Sequence, residues 1–463
     1  MIENITKGGD NKMNYKNFIN SKKHTSGNFG FNAIYCHDMA FDFQKNIIDR
    51  AVKKGRLGIF ADTGLGKTLI SLSLAMNIVL KTNRKVIIVT PLAVAFQFLK
   101  EAEKMGIDDI EYSKEGNHTR KIVICNYERL HYFDSNDFEC VILDESSILK
   151  NFKGQIKNKI TSFIKKVPFR FLTTATPSPN DFIELGTSSE ALGYMGYMDM
   201  LGKFFKNNQN TTDSKNRNIG EKFYLKTHAE KAFFQWVNSW SIMIKKPSDL
   251  GFSDERYNLS ELITNNHIVK NNKLFSNGAL FKMEAKTMPE IRLEQRETEK
   301  ERCEKAIELA ENKTSVYWCN TNKESKILKM LDTEAVEILG SQSIEQKEEI
   351  LKAFADGEIK RLITKAKMTG MGLNWQHCNH SVFFPTWSYE QYYQAVRRFW
   401  RFGQTEKVTI DLVISEGQTR VMEALKQKTK KAEDLYKNLV DNVNYEYIED
   451  LAKDKKPMIK PKF

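Results

Sequence analysis

The chain has 463 residues, with 71 Lys+Arg against 59 Asp+Glu, a formal charge of +12 at pH 7 and 41% apolar residues. Such a length means two or three domains, and such a composition excludes a fibrous or disordered chain. No run of ~18 apolar residues is present and residues 1–32 are polar, which argues against a membrane span and against a secretory signal, so a cytoplasmic setting is expected.

The six cysteines, Cys36, Cys125, Cys140, Cys303, Cys319 and Cys378, are scattered without a C-x-x-C pair. That excludes a disulfide framework and a zinc ribbon. The basic balance favours a polyanionic partner without proving one.

Residues 1–35 read as an N-terminal tail. Between 36 and 180, short apolar runs recur at 56–61, 85–91, 121–127, 140–145 and 170–175. Their near-continuous hydrophobicity suits strands buried on both faces, as in parallel sheets. Helical patterns at 67–81 and 93–105 alternate with them. The same alternation returns over 314–417, with runs at 314–320, 334–340, 361–366, 380–386 and 408–415 and helices at 343–355 and 389–401. The fold class is therefore α/β, with two parallel-sheet domains.

The stretch 181–313 has few strand-like runs and reads as a mainly helical insertion. It carries a polar loop at 207–218 and the aromatics Phe204, Phe205, Phe223, Tyr224, Phe233, Phe234, Trp236 and Trp240. Bases stack on such rings, but the 3–4 spacing of Phe233, Trp236, Val237 and Trp240 favours a packed helix face. Residues 418–463 form a helical, lysine-rich tail, whose terminal charge run suits a solvated end, with phosphate contact as the alternative.

The strongest local signal is Ala61-Asp62-Thr63-Gly64-Leu65-Gly66-Lys67-Thr68, placed after a strand and at the start of a helix. Its glycines let the backbone of Thr63, Gly64, Leu65 and Gly66 curl its N–H groups around phosphate oxygens, and the helix N-terminus adds positive potential. Lys67 reaches β/γ-phosphates and the Thr68 hydroxyl ligates Mg²⁺ in such loops. Ala61 stands where the usual first glycine would be. The apolar run 141–143 ends in Asp144 and Glu145. Asp144 suits Mg²⁺ held through water, and Glu145 suits orienting and deprotonating a water. Late in the chain, Arg398 and Arg401 are three apart, so a helix would aim both one way, toward charge developing on a γ-phosphoryl group. His377-Cys378-Asn379-His380 lacks the complementary pair that zinc needs and reads as a loop.

Together these residues resemble a superfamily-two helicase ATPase of the Swi/Snf-like branch, including compact phage and prophage-type DEAD/DEAH-like helicases. Phe43-Gln44 resembles the adenine-reading Gln motif, 61–68 motif I, 89–94 motif Ia and Asn126-Tyr127-Glu128 the T-Y-E motif. Asp144–Asn151 (DESSILKN) resembles the DEAH-x-x-KN box, with Ser146 and Ser147 replacing Ala and His. LTTATPSPN at 172–180 resembles motif III, 370–376 motif V and 394–404 motif VI. The resemblance implies two RecA-like domains: an ATP-binding domain at 36–180 and a helicase C-terminal domain at 314–417. It implies ATP and Mg²⁺ as ligands, with Gln44 at the adenine. It also implies nucleic acid, above all double-stranded DNA, as the partner of a monomeric motor. Contacts would come from Pro91, Asn126, Asn320, Thr321, Thr364 and Lys365. Coupling between the box and motif III would pass through Ser147 or by another route. The expected activity is DNA-stimulated ATP hydrolysis driving translocation. A strand-separating DNA or RNA helicase is the alternative. The intact Lys67, Asp144, Glu145, Arg398 and Arg401 argue against an inactive nucleic-acid-binding scaffold.

Overall fold

The computed structural model describes residues 27–150, 154–178, 181–207, 223–271, 287–366, 374–386 and 388–453. The apolar runs of the first half become β1 (Arg56–Ala61), β2 (Lys85–Thr90), β4 (Ile122–Asn126), β5 (Phe138–Asp144) and β6 (Phe169–Thr173), with a short β3 (Ile110–Tyr112) at one edge. β7 (Phe205–Asn207) and β8 (Phe223–Leu225) form a separate antiparallel pair. β9 (Ser241–Ile244) completes a seven-stranded sheet in the order β3-β4-β2-β5-β6-β1-β9, with every pairing parallel.

The second sheet has six parallel strands: β10 (Leu262–Val269), β11 (Ser315–Trp318), β12 (Val336–Glu337), β13 (Arg361–Thr364), β14 (His380–Phe383) and β15 (Val408–Ser415). Their order is β10-β15-β14-β11-β13-β12. Helices start where side chains cap them. Ser343 and Thr321 each accept from a backbone N–H three residues on, and Gln346 and Glu324 reach back to close the box.

The described residues of the middle stretch are mostly helical and divide between the two lobes. Helices Leu185–Leu192, Tyr197–Phe204 and Glu230–Trp240 pack on the first sheet, and β9 pairs with β1. β10 and helix Glu299–Leu309 belong to the second lobe. Phe204, Phe205, Phe233, Phe234, Trp236 and Trp240 are buried core residues, and Tyr224 alone of the aromatic cluster is markedly exposed. Stacking rings of this kind belong to the lobe's interior, so the packing reading of that cluster holds.

The C-terminal segment forms a 35-residue helix, Thr419–Lys453, part of which packs into both lobes. Val421, Met422 and Leu425 sit in the core of the second lobe, whereas Tyr436 and Leu439 sit in that of the first. The Tyr436 hydroxyl donates to the Ala175 carbonyl at 3.2 Å. At 1.5 Å per residue such a helix is about 50 Å long, enough to span both lobes. Residues 1–26, 208–218 and 454–463 of the regions read above lie outside the described residues.

Beneath the second sheet, the buried Asp411 accepts from His380 Nε2 (2.8 Å), Asn265 Nδ2 (2.9 Å) and His267 Nε2 (2.9 Å). His380 Nδ1 meets Ser315 Oγ at 2.6 Å. Burial opposes ionisation of Asp411, but these hydrogen bonds outweigh it and hold the carboxyl far below the usual range. A lowered carboxyl stabilises the fold fully above its unfolded value of about 3.9 and loses that contribution as pH falls toward its folded value. Asp411→Asn should therefore destabilise the protein by about 3 kcal/mol at pH 7. In urea titrations, the gap from wild type should narrow below pH ~4.

Candidate functional site

The strand ends that matter are the C-terminal ends of the first sheet, where ligands of open parallel sheets bind. β1 delivers the loop 62–66 to the helix Lys67–Thr82. Gly64 (φ +87) and Gly66 (φ +77) are left-handed. A Cβ at Gly66 would lie 2.2 Å from Gln44 Nε2, and one at Gly64 would lie 2.9 Å from the Phe402 ring of the second lobe. Only glycine fits either place. Lys67 Nζ donates to the Ala61 carbonyl (3.0 Å) and the Asp62 carbonyl (3.3 Å), so its ammonium is parked on the loop's own backbone.

β5 ends in Asp144, whose carboxylate accepts from Thr173 Oγ1 (2.9 Å) and Thr90 Oγ1 (3.1 Å) on the flanking strands. Tyr127 donates its hydroxyl to the Asp144 carbonyl. Glu145 follows with φ +52, a strained conformation for a non-glycine residue. Its Oε2 accepts from Thr174 Oγ1 at 3.2 Å. Burial pushes both carboxyls upward, Lys67 pulls against it, and the Asp144 charge pushes Glu145 further up. Thr173 and Thr174, both in the 172–180 segment, thus tie it to Asp144 and Glu145 by hydrogen bonds.

The second lobe contributes Arg398 and Arg401, but not from one helix face. The helix Tyr389–Val396 ends before them, and turns present both side chains. Arg398 lies 5.3 Å from the Trp375 ring centroid. Burial pushes its guanidinium down to about 10, opposed by the neighbouring charge of Glu145. Arg401, also lowered by burial, lines a cleft of about 790 Å³ with Gln44, Lys67, Thr68, Asp144 and Glu145. The structure therefore places Gln44, Thr63, Gly64, Gly66, Lys67, Thr68, Asp144, Glu145 and Arg401 around one cleft, with Leu65 in the same loop and Arg398 close enough to Glu145 for their charges to interact.

Gln44 has a further duty. Its Oε1 accepts from the Phe41 N–H (2.8 Å) and its Nε2 donates to the Leu65 carbonyl (3.0 Å), so it joins the first helix to the phosphate loop. Tyr257, on the crossing between the lobes, lines the same cleft and meets Phe43 and Phe402 edge-on, with centroids 5.2 and 4.9 Å away. No motif covers Tyr257, whereas Thr90, Tyr127 and Thr173 fall within the segments 89–94, 126–128 and 172–180, where the resemblance gives them no role of their own; a hydroxyl at the end of a strand flanking an acidic one is the available signal.

The residues expected to hold nucleic acid divide. Pro91 begins the helix Leu92–Lys104, and Asn320 and Thr321 are exposed at the end of β11. Lys365 Nζ donates to Asn322 Oδ1 at the same rim. Asn126 and Thr364 are buried, at 4% and 0% exposure. The Asn126 side-chain Oδ1 accepts from the Arg129 N–H (3.1 Å) and caps the turn that follows β4. Asn151, 179–180 and 370–373 of the motifs lie outside the described residues. Among the described residues, no group of three His, Cys, Asp or Glu side chains could hold a metal by themselves, and no helix is long and apolar enough to cross a membrane.

Residues 41–184 match the family model of the DEAD/DEAH box helicases, and residues 298–403 match that of the helicase conserved C-terminal domain. Together the two matches take in more than half of the chain. The DNA repair protein RAD5 of Yarrowia lipolytica (strain CLIB 122 / E 150) is 36% identical over 78 residues, which make up 17% of this chain and 8% of that protein. The match thus spans less than a tenth of that curated relative. Among solved structures, the Sulfolobus solfataricus SWI2/SNF2 ATPase core in complex with dsDNA aligns over 91% of this chain and 99% of its own, with 18% identity and a TM-score of 0.41.

The tightest steric requirement of the loop gives a test. Gly66→Ala places a methyl group against Gln44 in a left-handed conformation that costs an L-residue about 1–2 kcal/mol before any clash. Affinity for a fluorescent ATP analogue should fall at least about tenfold, with an unchanged far-UV circular dichroism spectrum.

Proposed function

We propose, from the premise that this chain belongs to the superfamily-two helicases and is Snf2-like among them, that it translocates on double-stranded DNA and that DNA stimulates its ATP hydrolysis. At the coarser level it is a helicase-type, ATP-dependent nucleic-acid motor. The observation that carries the reading is the shared cleft. A phosphate loop and an acidic pair sit on one sheet, Arg401 from the other lobe lines the same cleft, and the charge of Arg398 from that lobe acts on Glu145.

ATP fits that cleft as substrate. In the proposed cycle, Lys67 exchanges the carbonyls of Ala61 and Asp62 for the phosphates. Glu145, raised by burial and steadied by Thr174, takes a proton from the attacking water. Arg398 and Arg401 meet the charge that develops on the γ-phosphoryl oxygens. The donor set also suits Mg²⁺: Asp144 is a desolvated carboxylate with hard oxygen donors, and the Thr68 hydroxyl lines the same cleft. Bound there, the ion would neutralise phosphate charge. Hydrolysis then requires the lobes to be together, and product release lets them part. Contacts by each lobe to a phosphate backbone would convert that cycle into movement.

Pro91, Asn320, Thr321 and Lys365, on exposed or half-exposed strand ends, support the nucleic-acid side of the reading, as does the charge of +12. Steady-state ATPase assays with duplex DNA, single-stranded DNA and RNA at two salt concentrations test it. Duplex DNA should raise the rate several-fold, less so at high salt, and Lys67→Ala or Glu145→Gln should abolish it. A rate indifferent to every polynucleotide would reject the proposal. Strand displacement at the stimulated rate would convert the reading to a strand-separating helicase.

A further inference from the structure

Arg397 adjoins Arg398 in the chain, but its side chain is committed to the phosphate loop of the first lobe. Its Nη2 donates to Asp62 Oδ2, and the Tyr393 hydroxyl donates to Asp62 Oδ1. Asp62 belongs to the phosphate loop of the first lobe, Arg397 and Tyr393 to the second. The pair is buried, with Asp62 at 1% and Arg397 at 7% exposure. Arg397 is held in turn: its Nη1 donates to the Trp400 carbonyl (3.3 Å), its Nε donates to the Tyr393 hydroxyl oxygen (3.3 Å), and its guanidinium lies 4.6 Å from the Trp400 ring centroid. Asp62, Tyr393 and Arg397 line a cavity of about 430 Å³ that adjoins the nucleotide cleft at Tyr257. Arg397 does not line the nucleotide cleft.

Asp62 is also tied to the reacting side. Its Oδ1 accepts from the Thr63 N–H (2.7 Å), and its carbonyl accepts from Lys67 Nζ. One residue therefore holds the second lobe with its side chain and the phosphate-binding lysine with its backbone.

We infer that Arg397 and Tyr393 are positioning residues: with Asp62 they form a clasp that keeps the two lobes together before ATP arrives and fixes the conformation of the phosphate loop. Removing one member of a buried ion pair strands the other as an uncompensated charge. A stranded charge no longer draws the two lobes together, and its hydration favours the arrangement in which they part. The clasp thus acts on the nucleotide only through the loop. The kinetic part of the inference rests on the ATPase reading; the lobe-separation part does not.

The test uses the full chain with dyes at Lys100→Cys and Lys352→Cys, two exposed positions on different lobes, in a Cys36→Ser background. Inter-lobe energy transfer is measured without nucleotide and ATPase with it, for wild type, Arg397→Met, Arg397→Lys, Tyr393→Phe, Asp62→Asn and the double variant Asp62→Asn/Arg397→Met. The wild type should give one compact population. Arg397→Met should raise the separated population at least tenfold and lower kcat/KM for ATP about tenfold. Arg397→Lys should recover part of both, and the double variant should fall within twofold of Arg397→Met. Tyr393→Phe removes one hydrogen bond and leaves the ion pair, so it keeps the proposal testable if a charge variant fails to fold; it should shift the population about threefold in the same direction. An unchanged distance distribution in Arg397→Met, or losses that multiply in the double variant, would overturn the clasp. A changed distance distribution with no ATPase in any protein, wild type included, would leave the clasp standing and remove the enzymatic reading.

Discussion

Asp62 and Asp144 on one lobe, and Arg397 and Arg398 on the other, are each at most 7% exposed. Charges held away from water interact several times more strongly than they do at a surface, and each is costly when left alone. The lobes therefore serve as each other's counter-ions. The sheet ends, the glycine turns and the threonine hydroxyls around Asp144 and Glu145 can be read as devices for keeping acid on one wall and base on the other. The cleft between them is thus lined by opposed charges.

Packing sets how that space can change. Phe402 rests against Gly64, and Tyr257 touches both the first helix and Phe402, so displacement of the second lobe must be felt at the phosphate loop. The closing helix has Leu425 in one core and Leu439 in the other. Each buried leucine of this kind contributes about 2–3 kcal/mol, so the helix resists free swinging of the lobes. A motor needs two states of comparable energy. Here the helix, the buried ion pair and the nucleotide are the terms that set their balance.

Much of this was legible in the residues. Runs such as 56–61 and 408–415 were strands to the residue, because parallel strands buried on both faces admit few polar side chains. The phosphate loop, Asp144 and Glu145 were legible because their chemistry demands those types at that spacing. β9 was hidden because Ser241–Ile244 follows the aromatic helix without a polar break. β10 was hidden because its centre, Thr264 to His267, is polar and largely exposed at a sheet edge. Arg397 was passed over since nothing local separates it from Arg398; the partner that defines it, Asp62, is 335 residues away. The placement of Arg398 and Arg401 in turns was equally hidden, because the helical pattern of 389–401 continues past the point where the helix stops.

The claim beneath all of this is that the second lobe completes the site of hydrolysis built on the first. It is tested most directly by a structure of the full chain bound to ADP, a trifluorometallate mimic of the transferring phosphoryl group, and duplex DNA. The guanidinium groups of Arg398 and Arg401 should then lie within hydrogen-bonding distance of the mimic, with Lys67 moved off the Ala61 carbonyl onto phosphate. A complex in which the mimic is held by the first lobe alone, with both arginines facing solvent, would contradict the account.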